Sequence, residues 1–385
     1  MATRFAHLAL LAVLSCMPLT AVAALKGNAP VSYTASDGTR RIHDFSISGG
    51  MLVENYFDGS TWQWISHPAP SGDYAALFSP TAITYQEDGT RRIYVFAITG
   101  NGHKFVARWF NGSQWQWGVL PTASVLEHGK SSALTYLDES GNRRIHLFAV
   151  DDHTPARVVS TWWDGTTWQT TQFALPGIWR TSSHPVALTY VHGGVRRMYV
   201  YCMLNELGPN QPRLFTLVWN GGNWNWQDMG LENFRPDSAL SYVGTGGMRR
   251  IQVFGANTAN DSVAVYESNG LSWTLSDLGS PEIDPSGPSD VAAIAYGNVL
   301  SGRQVFVAAT FNDHLHVKRH DGTGWGPYVA LAGGNRQFSD DPAWVHYIEP
   351  RGGTDTLQLF VTSATTLMRH RWNGSAWQSS DQGAP

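Results

Sequence analysis

The chain of 385 residues predicts an all-β fold, a seven-bladed β-propeller with four antiparallel strands per blade, and three repeated features carry that prediction. The first is Asp58-Gly59-Ser60-Thr61-Trp62, whose pattern returns at Asn111–Trp115, Asp164–Trp168, Asn220–Trp224, Asn269–Trp273, Asp321–Trp325 and Asn373–Trp377, with 49 to 56 residues between successive tryptophans. A period of roughly 50 residues is that of a propeller blade. The second is a short strand ending in Tyr33, Tyr85, Tyr136, Tyr190, Tyr242, Tyr296 or Tyr347. The third is an apolar strand opened by a double arginine: Arg40-Arg41, Arg91-Arg92, Arg143-Arg144, Arg196-Arg197 and Arg249-Arg250. Blade six keeps only Arg303, and blade seven has no such pair.

Taken in chain order, the tyrosine strand alternates small and large side chains, as an innermost strand needs where blades crowd an axis. The arginine strand is nearly continuous in apolar residues, as a strand covered on both faces should be. A third strand, such as Phe105–Phe110, leads into the hairpin. There, Asp-Gly or Asn-Gly implies a tight turn with positive φ at its central residues. A fourth strand, such as Trp115–Val119, leaves it. The tryptophan that opens this strand is large enough to fill the wedge between neighbouring blades. Long connections rich in Pro, Ser and Gly lead to the next blade and are natural places for binding residues.

Residues 1–23 read as a secretory signal: Arg4, an apolar stretch from Leu8 to Leu14, and Ala21-Val22-Ala23 as a cleavage site. The remainder, 24–385, reads as a single propeller with blades near 28–75, 76–127, 128–180, 181–233, 234–286, 287–337 and 338–385. The expected location is secreted or periplasmic. With Cys16 inside the signal, Cys202 is left without an intrachain disulfide partner, and a lipoprotein anchored through Cys16 is the competing reading. A formal net charge of −4 with no basic stripe argues against nucleic acid, and no later segment is apolar enough to span a bilayer. The reading leaves homo-oligomerisation open.

No motif for a metal, phosphate loop or nucleophile elbow appears, so neither cofactor nor metal is expected. His314 with His316, and Asp151-Asp152-His153, are the tight clusters of possible ligands. In blade one, Asp44 interrupts the second strand, and Glu54 lies on the third across the Ser48-Gly49-Gly50 turn. If the turn centres on Gly49-Gly50, the two carboxylates are near neighbours, and such pairs serve as acid and base in glycoside hydrolysis. Adjacent arginines on a strand point to opposite faces, one into each flanking groove. Their planar forks suit sugar hydroxyls or a carboxylate, and Trp62, Trp109, Trp162 and Trp219 lie near them in the repeat. Stacking and salt bridges between blades are the alternative role. Trp179 and Trp344 fall outside the repeat pattern.

These motifs resemble those of propeller lectins: the fungal six-bladed fucose-binding lectins and bacterial seven-bladed lectins that bind fucose and related sugars. In the fungal lectins an arginine of the second strand and a glutamate of the third hold the sugar, above an aromatic. That resemblance implies ligand-binding roles for Arg41, Arg92, Arg144, Arg197 and Arg250. The glutamate position falls on Glu54, Ala107, Ser160, Thr216, Val265, Val317 and Arg369, so only blade one keeps the acid. The resulting expectation is a non-catalytic carbohydrate-binding protein with inter-blade sites built from those arginines, Glu54, Trp109, Trp162, Trp219 and Trp179. Its partners would be cell-surface glycans or polysaccharide. A glycan-active hydrolase or lyase and a cell-envelope protein-binding scaffold are the alternatives.

Overall fold

The structure, a computed structural model, describes residues 25–385 except 71, 73, 75, 128, 178, 207–210, 245–246, 282–286, 298–302, 332–337, 339–340, 349–354 and 364. The signal sequence expected at 1–23, with Cys16, therefore lies outside the described residues. Seven antiparallel sheets form a ring, confirming the predicted propeller. Blade one contains Leu25–Thr34, Arg40–Ser48, Met51–Phe57 and Trp62–His67, paired in that order. Blades two to seven span 77–119, 132–172, 179–232, 234–279, 291–330 and 343–381. In blade four the innermost strand is in two pieces, Trp179–Thr181 and Val186–His192, both paired to Val195–Glu206. First strands neighbour one another around the axis.

Because strands alternate in direction, the turns joining strands one and two share a face with the Asp/Asn-Gly hairpins. The blade-to-blade connections lie on the opposite face. Each hairpin differs in detail from the expected turn. Phe57 pairs with Trp62, so the loop has four residues, and within it only Gly59 has positive φ, at 101°. The aspartate works through its side chain: Asp58 Oδ1 accepts from the N–H groups of Ser60 and Thr61, both at 2.8 Å. The six other copies repeat this with Asn111, Asp164, Asn220, Asn269, Asp321 and Asn373 as acceptors. Asp and Asn are thus equivalent here because a carbonyl-type oxygen is all the turn requires.

The hairpin tryptophans join the blades. Trp115 meets Phe45, Trp168 meets Phe96, Trp224 meets Phe148, Trp273 meets Tyr201, Trp325 meets Phe254 and Trp377 meets Phe306, with ring centroids 5.9–6.5 Å apart and planes at 69–88°. Edge-to-face contact of this kind adds about 1 kcal/mol to the burial of each ring. Trp62 on Phe360, at 5.9 Å, closes the ring between blades one and seven. Leu25–Pro30 pair inside blade one, so among the described residues no strand is exchanged at closure. Side-chain packing holds that joint, with Trp64 Nε1 donating to the Gln382 carbonyl at 2.9 Å.

At the connection-face mouth of the axis, Lys130, ahead of the first strand of blade three, donates to Asp290 and Asp341, ahead of the first strands of blades six and seven. Asn28 Nδ2 donates to the Asp341 carbonyl at 2.7 Å, and Arg235 pairs with Asp237 while donating to the Ser289 carbonyl at 2.6 Å. This polar knot ties blades one, three, five, six and seven.

Two expectations follow. Trp62→Ala should lower stability by about 3–5 kcal/mol in denaturant unfolding, because the cavity opens at the one joint that chain connectivity does not reinforce; a change below about 1 kcal/mol would contradict this role. Two buried histidines, His146 and His370, and a half-buried one, His184, make the fold acid-sensitive. Burial holds His146 down at about 3 and His184 and His370 at about 4, so they fold neutral. Their stabilising preference is complete above the unfolded pKa near 6.5 and is lost as pH falls toward 4 and 3. His146→Phe keeps the ring stack and removes one titrating group. The stability lost between pH 7 and pH 5 should shrink by on the order of 2 kcal/mol in this variant, and an unchanged pH profile would refute the assignment.

Candidate functional site

The second strand sends alternate side chains to the two neighbouring blades. The first arginine of each pair turns to the preceding blade and covers its tyrosine. The pairs are Arg40 on Tyr347, Arg91 on Tyr33, Arg143 on Tyr85, Arg196 on Tyr136, Arg249 on Tyr190 and Arg303 on Tyr242, at 4.4–5.5 Å. These arginines stack between blades. The second arginine turns to the following blade, and its own blade holds it. Arg41 pairs with Asp37 at 3.2 Å, Arg92 with Glu87 at 3.5 Å, Arg144 with Asp138 at 2.7 Å and Arg250 with Glu267 at 2.8 Å. Arg197 donates to the Asn220 carbonyl at 3.1 Å. A guanidinium fixed in this way still has N–H groups to offer a ligand.

Glu54 sits differently from the sequence expectation. It is 1% exposed and lies between two imidazoles, His43 Nδ1 and His67 Nε2, the latter at 2.6 Å. Burial alone would raise its pKa, but the two hydrogen bonds outweigh that and bring it down to about 2. Its carboxylate is committed to the interior, so it serves the joint of blades one and two and not a surface ligand. Nor does it pair with Asp44. The strand register sets Phe45 opposite Glu54 and Asp44 opposite Asn55, so the two carboxyl groups leave opposite faces of the sheet. Asp44 is wholly buried, and burial, outweighing a backbone hydrogen bond from Ala29, pushes its pKa well above the carboxylate range. The acid–base pair inferred from their spacing is therefore not formed.

The other site residues fall into three places. Trp162 of blade three and Trp219 of blade four both line the groove between these blades, about 500 Å³ in volume, which Arg144 also lines, and Trp219 packs on Trp224 at 5.6 Å. Trp162 is stacked on His146, with centroids 5.5 Å apart and planes at 5°, and its Nε1 donates to Thr171 at 3.3 Å. Trp109 lies between blades two and three, against Tyr94, and packs on the core there. Trp179 is at the connection-face end of the joint between blades three and four, 5.0 Å from Phe215, and does not line the groove. Trp344 is also core, on the first strand of blade seven against Phe306.

The groove between blades three and four has a feature that sequence reasoning passed over. Ser160 lines it, is 2% exposed, and has no partner for its hydroxyl. Thr216 does the same in the groove between blades four and five. Both occupy the position where the motif comparison calls for glutamate, and in sequence they read only as its loss. Two indole faces, a guanidinium and an unpaired hydroxyl form a surface suited to a ring with one apolar face and several hydroxyls.

Among the described residues, no group of three His, Cys, Asp or Glu side chains is placed to hold a metal ion. Asp151 is instead bonded by the Arg157 guanidinium at 2.8 Å. Cys202 is buried, and burial raises its thiol pKa. No helix of the described residues is long and apolar enough to cross a membrane.

No protein-family model and no curated protein matches the sequence. Solved structures do match. A mutant of the Aleuria aurantia lectin in complex with α-methyl-L-fucoside is 15% identical, with 94% of this chain and 97% of that one covered and a TM-score of 0.54. The six-bladed Aleuria aurantia lectin itself is 17% identical over 80% of this chain and 95% of that one, with a TM-score of 0.53. AofleA from Arthrobotrys oligospora is 13% identical over 82% and 89%, with a TM-score of 0.51. At these identities the likeness is one of fold: the chain is built as the fucose-lectin propellers are, with seven blades to the six of the Aleuria aurantia protein.

Proposed function

We propose that this chain is an exported carbohydrate-binding protein, a lectin without catalysis, whose sites are the grooves between blades. The observation that carries the reading is the groove between blades three and four. It combines Trp162 and Trp219, one from each blade, with Arg144, held by Asp138, and the unpaired hydroxyl of Ser160. A buried hydroxyl without a partner is costly, and a sugar hydroxyl would satisfy it. The groove between blades four and five, about 250 Å³, repeats the unpaired floor hydroxyl with Thr216, beside Tyr199 and Trp273, but lacks the second indole and the counterpart of Arg144. The fold neighbours add support, since one was solved with a bound fucoside. Weak, repeated sites of this kind gain strength on a surface that displays many glycans. The separation of Asp44 from Glu54 removes the feature that favoured a glycan-cleaving enzyme.

The test is a glycan-array screen of the protein from Ala24, followed by calorimetric titration of a hit. The expected result is saturable binding without turnover. Arg144→Ala and Trp162→Ala should each weaken the strongest site by roughly tenfold or more, the loss of one charged hydrogen bond or one stacking face. Glu54→Gln should lower stability and leave glycan affinity within about twofold, since that carboxylate is enclosed. Absence of binding to every glycan would overturn the proposal.

A further inference from the structure

The groove between blades six and seven holds the same place in the repeat as the groove between blades three and four, yet its chemistry is inverted. Strand register makes the correspondence explicit. Arg144 pairs with Tyr136 as Gln304 pairs with Tyr296, so the groove arginine is replaced by an amide. Ser160 pairs with Thr171 as Val317 pairs with Val329, so the floor hydroxyl is replaced by a methyl surface. Trp162 pairs with His146 as Arg319 pairs with Phe306, so a cation replaces the platform indole. The pocket is also larger, about 570 Å³.

Two local features open it. The fourth strand of blade six is only Val329–Ala330. In addition, Ala308 stands opposite Val317 where blade three sets Phe148 opposite Ser160, and the aromatic ring of blade six is two residues earlier, at Phe306. The walls that remain are Leu331, Val329, Trp372 and Trp377. A sugar would lose the guanidinium, the floor hydroxyl and the platform indole that the groove between blades three and four offers.

Arg319 is the one cation of this lining, whose other polar members are Ser375, Ser379 and Asp321, the last with Oδ1 occupied by the N–H groups of Thr323 and Gly324 in its own hairpin. Its guanidinium carbon lies 5.8 Å from the Phe306 ring and 5.5 Å from the Trp372 ring. Its Nε is buried without a hydrogen-bond partner, and no ion pair to Arg319 forms among the described residues. Arg144, by contrast, has Asp138 beside it. A guanidinium flattened on aromatic rings and lacking an anion presents its free N–H edge to whatever enters the groove. The ligand that matches is a carboxylate, which accepts two parallel N–H bonds, on a flat apolar body that lies between the two indoles and the aliphatic wall. The volume falls within the range of small-molecule sites.

We propose that the groove between blades six and seven is a separate site for a small planar apolar ligand bearing one carboxylate. This site does not depend on the sugar reading of the other grooves.

The test uses 2-naphthoate, followed by quenching of tryptophan fluorescence and by calorimetry on the full chain from Ala24. One saturable site per chain is expected, with its methyl ester binding at least tenfold more weakly. Arg319→Met, which retains the apolar stem, should weaken naphthoate at least tenfold. Ala376→Trp, at an exposed hairpin position lining the groove, should block it without touching the core, and it decides the matter if the arginine variant is unstable. Glycan binding elsewhere should survive in both variants. Binding that is unchanged in Ala376→Trp, an ester that binds as well as the acid, or no saturable binding up to millimolar naphthoate would each overturn the proposal.

Discussion

The structure depends on one contact made seven times: the hairpin tryptophan of each blade set against an aromatic ring on the second strand of the blade before it. Four-stranded sheets arranged around an axis diverge outward, and the wedge between them must be filled by large apolar side chains. Tryptophan supplies the volume, and its place at the start of the fourth strand is dictated by the four-residue loop before it. That loop is held by an Asp or Asn oxygen and by one glycine with positive φ. The turn chemistry and the inter-blade packing are therefore one device. Because Trp62 reaches Phe360, the device also closes the ring, with no strand exchanged among the described residues.

Once the tryptophans hold the blades apart at a fixed angle, the residues between them divide into two tasks. The first arginine of each pair is used up in covering the preceding tyrosine. The second is held by its own blade and faces the space toward the next. That space is where the sequence is free to vary, since the joint already has its anchor. Blade one fills it with a buried Glu54–His43–His67 cluster, blade three leaves a groove with Arg144 and Ser160, and blade six leaves an apolar pocket around Arg319. A single scaffold thus carries inter-blade spaces of different chemistry, and it is these spaces, not the fold, on which function must be argued.

The repeat made the blades, their strand order and the wedge role of the tryptophans legible from sequence, because period, turn chemistry and apolar patterning all pointed one way. Facing of the paired arginines was legible for the same reason, since adjacent residues on a strand must diverge. The state of individual groups was not. Glu54 read as an exposed ligand because His67, which encloses it, is on the next strand and in no motif. Asp44 and Glu54 read as partners because the spacing allowed it, and only the register shows that they face apart. Ser160 and Thr216 read as lost glutamates, while their meaning lies in being buried and unpaired. Lys130 sits in a connection with no repeat signal, and its carboxylate partners are 160 and 211 residues away.

The most direct test of the account is a crystal structure of the chain from Ala24 soaked with a methyl glycoside identified by array. The account requires density for the sugar ring between Trp162 and Trp219, with hydroxyls reaching Arg144 and Ser160. Density confined to the connection face or to the axial opening beside Lys130, with the groove between blades three and four empty, would contradict it.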